Sequence, residues 1–173
     1  MIKFGVIGSG WIAEEFVKGA KLVDGFVFSA MYSRTYEKGK AFAEKFGGAP
    51  VYTDLNEFAK SNVDAVYIAS PNSLHYSQSK LMLENGKHVL CEKPMALDPA
   101  DAEKMIEVRD RTGRTLGICF QNRYNDSSRY MRSLMDSGRM GKVLGARGAV
   151  FWNRNPEYYT ESDWRGTMDK EGG

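Results

Sequence analysis

The chain has 173 residues, 42% of them hydrophobic and 27% charged, with 24 Lys and Arg against 22 Asp and Glu for a net charge of +2. This composition suits a globular protein with a buried core, and so small and scattered a positive charge leaves no footprint for nucleic acid or an anionic membrane surface. No apolar stretch would span a bilayer, and the start lacks a signal peptide's charged-then-apolar layout. Cys91 and Cys119 stand far apart and outside any metal-ligand spacing, so reduced, buried thiols in a cytoplasmic protein without a metal site are expected.

Residues Ile2 to Ile7 form a short run rich in apolar side chains, the composition of a buried parallel strand. Gly8-Ser9-Gly10 ends it, and Trp11 to Val17 takes on helical spacing. The result is Gly-x-Gly-x-x-Ala at a strand-to-helix turn. Gly8 permits the sharp turn, Gly10 lets a pyrophosphate approach the backbone, and Ala13 lets helix and strand pack closely. Free N–H groups and the helix dipole then face the phosphates, which makes Gly8, Ser9, Gly10, Trp11 and Ile12 candidate coenzyme contacts. The competing reading is an ordinary tight turn.

Gly25 to Tyr32 predicts a second strand. A dinucleotide fold that prefers NAD carries an acid at the end of this strand for the adenine ribose hydroxyls. Here Ser33-Arg34-Thr35 holds that place, with no acid between Asp24 and Glu37. A hydroxyl followed by a guanidinium suits a 2′-phosphate, so Ser33 and Arg34 favour NADP(H), with NAD(H) the alternative. The bland reading is a polar loop in which Thr35 caps the next helix.

Tyr36 to Phe46 is helical, and Gly47-Gly48 ends it. Val51-Tyr52 is a brief third strand, and residues 53–57 form a cap that opens a short helix through Lys60. Asp64 to Ala69 is a fourth strand that stops at Ser70-Pro71-Asn72. In an open parallel sheet the carboxyl ends of the first and fourth strands flank the crevice where strand order reverses, which puts Ser70, Pro71 and Asn72 beside the coenzyme.

Ser73 to Glu84 is helical with His75 on its first turn, and by itself a lone His there reads as structural. Lys87 to Cys91 is a fifth strand whose beginning, with His88, lies away from the active end. Glu92-Lys93-Pro94 follows at its carboxyl end. Lys93 either reaches a nicotinamide rim there or sits in a surface turn, and the bond before Pro94 admits a cis peptide. Asp98-Pro99 opens a helix to about Thr112, and Thr115 to Phe120 is a sixth strand. Six strands separated by helices or short crossovers require a mostly parallel, doubly wound α/β sheet of Rossmann type.

Three stretches, Gly8 to Ala13, Ser70 to His75 and Gly86 to Pro94, closely resemble the glucose–fructose oxidoreductase/inositol dehydrogenase (Gfo/Idh/MocA) family, and Asp163-Trp164-Arg165-Gly166 and Gly172-Gly173 look like its next landmarks. The resemblance implies an enzyme, an NAD(P)-dependent oxidoreductase that moves a hydride between nicotinamide and a sugar, polyol or related alcohol/carbonyl substrate. It implies that Lys93 sits beside the nicotinamide as the catalytic donor to the reacting oxygen and touches substrate. It also implies that Pro94 follows a cis bond, that Glu92 lies against the coenzyme, and that His75 is near it. Trp164 and Arg165 are expected at the coenzyme by the same pattern, or else as an aromatic anchor and a surface charge. Arg123 is a candidate substrate contact.

After Phe120 the pattern changes. Asp126 to Ser137 reads as a helix with Tyr130, Met131 and Leu134 facing inward, Val143 to Trp152 as one long strand, and residues 153–165 as a loop. The expected division is a coenzyme domain over 1–121 and, over 122–173, the incomplete start of a second, antiparallel α+β domain. In the family that domain carries the substrate pocket and a subunit interface, so a full-length protein is expected to be a homo-oligomer. The family's acid/base His and Asp would fall beyond residue 173. The chain is therefore expected to be an N-terminal portion that binds coenzyme without a complete catalytic set, its strand at 143–152 loosely held or paired with a second copy. The alternatives are a nucleotide-binding regulatory module without chemistry, and a methyltransferase-like adenosine binder, which the missing acid disfavours.

Overall fold

The computed structural model describes residues 1–172. Gly173, half of the expected Gly-Gly landmark, lies outside the described residues. Six strands form one sheet: β1 (Ile2–Ile7), β2 (Phe26–Tyr32), β3 (Val51–Tyr52), β4 (Ala65–Ile68), β5 (His88–Glu92) and β6 (Leu116–Cys119). Every pairing is parallel, and the order is β3-β2-β1-β4-β5-β6. The doubly wound Rossmann sheet expected from the alternation is therefore present. Parallel neighbours need crossovers, and helices supply them: α1 (Trp11–Ala20), α2 (Tyr36–Glu44), α3 (Leu55–Ala59), α4 (His75–Glu84) and α5 (Pro99–Thr112).

Side chains alternate across a strand, so each strand feeds both faces of the sheet. Phe4, Val6, Met31 and Tyr67 pack with Ala13 and Val17 of α1 and Phe42 of α2. Ile7, Ala30, Val66, Ile68 and Cys91 pack on the other face with Phe58 of α3, Met82 and Leu83 of α4, and Val108 of α5. Burial among these side chains pushes the Cys91 thiol up to about 12, so it stays a thiol at neutral pH.

Local signals set the helix ends. The Asp54 side chain accepts from the amides of Asn56 and Glu57 at 2.8 and 2.9 Å, and Asp98 accepts from Ala100 with Pro99 opening α5. Thr35 stands at the start of α2, but its side chain makes no cap. The helix expected from Ser73 is a 3₁₀ turn over Asn72–Leu74 that runs into α4 at His75. Among the described residues no helix is long and apolar enough to cross a membrane.

The backbone groups into two compact units, residues 1–119 together with the segment from Gly166 on, and residues 120–165. The second contains α6 (Asp126–Asp136) and a short α7 (Pro156–Thr160), the latter inside the stretch expected to be loop. Two expectations fail in this unit. Residues 143–152 are not a strand: no neighbouring strand among the described residues pairs with them, and alternation alone cannot hold an extended chain. Val150, Phe151 and Trp152 are exposed there, as are Tyr130 and Met131 of α6. Of the inward stripe expected on α6, Tyr130 and Met131 face solvent and Leu134 is half-buried.

Gly5 of β1 lies under the Phe58 ring, where an added Cβ would come within 2.7 Å of it. Phe58 is fully buried and cannot swing away. Gly5→Ala is expected to destabilise the fold by about 1–3 kcal/mol in urea unfolding, and a Phe58→Leu companion change should recover part of that loss.

Candidate functional site

Strand register builds the site. Ile7 pairs with Ile68, Ile68 with Cys91, and Glu92 with Cys119. The chain therefore leaves β1 at Gly8, β4 at Ala69 and β5 at Lys93 along one edge of the sheet. Between β1 and β4 the strand order reverses, the place where open α/β sheets leave a crevice at their carboxyl ends.

The two glycines of the first turn differ in kind. Gly8 has φ +105°, and a Cβ there would stand 2.4 Å from the Ala69 carbonyl oxygen, so the backbones of the first turn and of the β4 exit meet only if residue 8 is glycine. Gly10 has ordinary extended angles, φ −79° and ψ 173°, and a Cβ there would meet nothing within 4 Å. The protein's own packing does not require glycine at 10. Ala13 and Val17 seat α1 on the sheet, and no side chain caps its start. The amides of Trp11 and Ile12 have no partner among the described residues. Ser9 is half-buried beside them, and Trp11 is 67% exposed.

At the end of β2, the Ser33 amide donates to the Tyr52 carbonyl at 3.1 Å, and its side chain is buried against Gly39 of α2. Arg34 is exposed and has no ion-pair or hydrogen-bond partner among the described residues. Of this pair, only the guanidinium is free to meet a ligand.

Beyond β4 the polar groups are tied to one another. Ser70 Oγ donates to Gln78 Oε1 at 2.6 Å, and the Asn72 side-chain amide donates to the Glu171 carbonyl at 2.9 Å. The Ser73 amide donates to the Lys170 carbonyl at 3.0 Å, so the segment from Gly166 on returns across Pro71 and Asn72. His75 is fully buried, with Nδ1 2.7 Å from the Pro94 carbonyl oxygen and Nε2 3.0 Å from that of Ser70. The ring lies between the β4 exit and the β5 exit, and the tautomer decides which of the two carbonyls its single N–H meets. The Lys93–Pro94 bond is cis, as expected.

Glu92, 7% exposed, accepts the Tyr67 O–H at 2.6 Å. Burial first, and the adjacent carboxylate second, push the Tyr67 phenol well above its usual 10, so it stays the donor. Lys93 follows, exposed and without an ion-pair partner among the described residues. His88, at the start of β5, accepts the Thr115 amide with Nδ1. A surface hollow of 390 Å³, lined by Lys3, Phe28, Tyr52 and Asn62 among others, lies away from this edge, toward the amino-terminal side of the strands.

Arg123, Trp164 and Arg165 belong to the 120–165 unit. Arg165 lies over Tyr158 at 4.4 Å and over Trp164 at 5.7 Å, and donates to the Tyr158 carbonyl. Arg123 lies over Phe120 at 5.6 Å. Sequence reading passed over Tyr67, Gln78 and the Lys170–Glu171 return. Tyr67 was hidden in an apolar strand, and it is the register pairing it with Leu90 that puts it on the same face as Glu92.

The Gfo/Idh/MocA family model, described as an oxidoreductase family with an NAD-binding Rossmann fold, matches residues 2–120. The chain is 44% identical over 117 residues to scyllo-inositol 2-dehydrogenase (NADP(+)) IolU of Bacillus subtilis, covering 67% of this chain and 36% of that protein. It is 36% identical over 148 residues to 1,5-anhydro-D-fructose reductase of Ensifer adhaerens, covering 85% of this chain and 44% of the relative. Among solved structures it resembles the WlbA dehydrogenase of Bordetella pertussis in complex with NADH and UDP-GlcNAcA, with TM-score 0.93 and 29% identity over 98% of this chain and 49% of that one. The chain thus spans half or less of the length of these relatives.

The glycine contrast is testable without any ligand. Gly8→Ala is expected to cost more than about 2 kcal/mol, from backbone strain and the clash with Ala69, whereas Gly10→Ala should leave the urea midpoint unchanged.

Proposed function

The chain belongs to the Gfo/Idh/MocA oxidoreductase family, with its NAD-binding Rossmann fold, and from that premise we propose that it binds NADP(H) in preference to NAD(H) for hydride exchange with a sugar or polyol. The observation that carries this reading is the common edge. The start of α1, uncapped among the described residues, and the ammonium of Lys93, without an ion-pair partner among them, follow strands whose ends are in register. The residues fit the group: Gly10 keeps clear a space that the protein itself does not fill, and the Trp11 and Ile12 amides offer donors to a pyrophosphate.

When bound, the nicotinamide supplies or accepts the hydride. Gly8 to Ile12 hold the pyrophosphate, and Arg34 grips the 2′-phosphate while Ser33 shapes the loop beneath it. Ser70, Pro71 and Asn72 wall the nicotinamide end, with His75 positioning their backbone and Glu92 accepting from the coenzyme. Lys93 would donate a charge-assisted hydrogen bond to the substrate oxygen and stabilise negative charge on it. Both histidines are already engaged, His75 between two carbonyls and His88 by the Thr115 amide. Neither carries the substrate proton, so this stretch of chain binds coenzyme without turning over by itself.

Calorimetric titration of the 173-residue chain with NADPH and NADH tests the reading. NADPH is expected to bind more tightly, and Arg34→Ala should weaken it by roughly tenfold to a hundredfold with NADH unchanged. A preference for NADH, or equal losses for both, would refute the Arg34 assignment. Turnover of a sugar panel by the chain alone would refute the division between binding and chemistry.

A further inference from the structure

We propose that Tyr67 is a positioning residue for the coenzyme: its phenolic O–H holds one oxygen of Glu92 so that the other is presented to a neutral O–H or N–H donor on the nicotinamide half. The inference rests on the coenzyme reading above and assigns a role to a residue outside the glycine turn and the Glu92-Lys93-Pro94 run.

The geometry is specific. Tyr67 is 2% exposed, and its hydroxyl lies 2.6 Å from Glu92 Oε1. Oε2 has no hydrogen-bond partner among the described residues, yet it is not among their sealed, unpartnered polar atoms, so it still reaches solvent. Glu92 is the last residue of β5, immediately before Lys93, which puts that open oxygen at the carboxyl edge of the sheet. A carboxylate drawn out of water costs stability unless its oxygens are matched, and an apolar pair would fill the same space at least as well. A buried carboxylate with one oxygen fixed and one open is an acceptor held ready for a donor.

The Tyr67 ring is itself held. Phe16 of α1 stacks on it with centroids 3.7 Å apart and planes 11° from parallel. The helix whose start offers free amides thus also fixes the tyrosine that fixes Glu92. Phe16, Tyr67 and Glu92 form a rigid link between the phosphate end of the site and its nicotinamide end.

Tyr67→Phe removes only the hydroxyl and keeps the stacked ring. Wild type, Tyr67→Phe, Glu92→Ala and the double variant are titrated with NADPH, NADH and ADP, and thermal midpoints are recorded. Tyr67→Phe is expected to weaken the tighter-binding reduced coenzyme about tenfold and to leave ADP, which lacks the nicotinamide half, unchanged. In the Glu92→Ala background the same change should cost less than twofold, because its target is gone. Persistence of the loss with ADP-ribose would make the donor a ribose hydroxyl, and its disappearance the carboxamide; both support the proposal.

Equal losses for ADP and reduced coenzyme, an undiminished loss in the Glu92→Ala background, or a shifted midpoint with unchanged affinities would overturn it. Phe16→Leu loosens the ring but keeps the hydroxyl, so it guards against misfolding of the first variant. It should weaken reduced coenzyme at least about threefold and spare ADP, and no change would count against the link. A folded wild-type chain that binds none of the three nucleotides would refute the coenzyme reading itself, and this inference with it.

Discussion

The parallel register of β1, β4 and β5 is the constraint on which the rest depends. Ile7, Ile68 and Cys91 lie level across the sheet, so three loops distant in sequence leave at one edge. Everything chemically distinctive is then within two or three residues of a strand end. The Ala69 amide bonds the Ile7 carbonyl at 2.8 Å, and the Ala69 carbonyl leaves no room for a side chain at Gly8. A shift of one residue would turn Tyr67 and Glu92 to opposite faces and set Gly8 against another backbone atom. The packing of α1 on one face and α4 on the other excludes that slip, because each strand buries alternate residues on both sides.

Along this edge the polar groups fall into two sets. Ser70, Gln78 and Asn72 bond one another or the main chain, and the buried His75 ring stands between two main-chain carbonyls. Polar groups tied in this way make a stiff frame, since pulling one out of its bond costs free energy. The Lys93 ammonium, the Arg34 guanidinium, the open oxygen of Glu92 and the first amides of α1 are outside that frame. They face solvent from positions that the frame fixes, which is the arrangement a preorganised binding site needs. His75 shows why residue type alone does not assign a role. An imidazole beside the expected nicotinamide invites a catalytic reading, yet its burial between two carbonyls makes it a brace.

The sheet was legible because its strands are short apolar runs punctuated by Gly, Pro and Asn, and because the alternation with helical periods admits few topologies. The Gly8–Gly10 turn and the Glu92-Lys93-Pro94 exit could be placed at the same edge from strand order alone. Three things could not be read. Val143 to Trp152 has a strand's composition, but a strand is made by its neighbour, and composition carries no information about whether one is there. The amphipathic pattern of α6 likewise names a face and not what covers it. The pairing of Tyr67 with Glu92 depends on a register between β4 and β5 that no local pattern specifies, even though both residues were in view.

The loop after β2 shows how structure reweights a sequence argument. Ser33 and Arg34 look equivalent as polar residues where an acid would select NAD. In the folded chain Ser33 is the residue that α2 packs against, its backbone bonded to Tyr52 and its side chain facing Gly39, where even a methyl group would collide with Val51. Arg34 alone remains turned to solvent. Thr35 leaves the start of α2 without a side-chain cap, but Glu37 stands in its first turn, so the partial positive charge of that helix end is met within the protein and the cation offered to a ligand is Arg34. The proposed preference for a 2′-phosphate therefore rests on that one cation, with the serine acting as the floor beneath it.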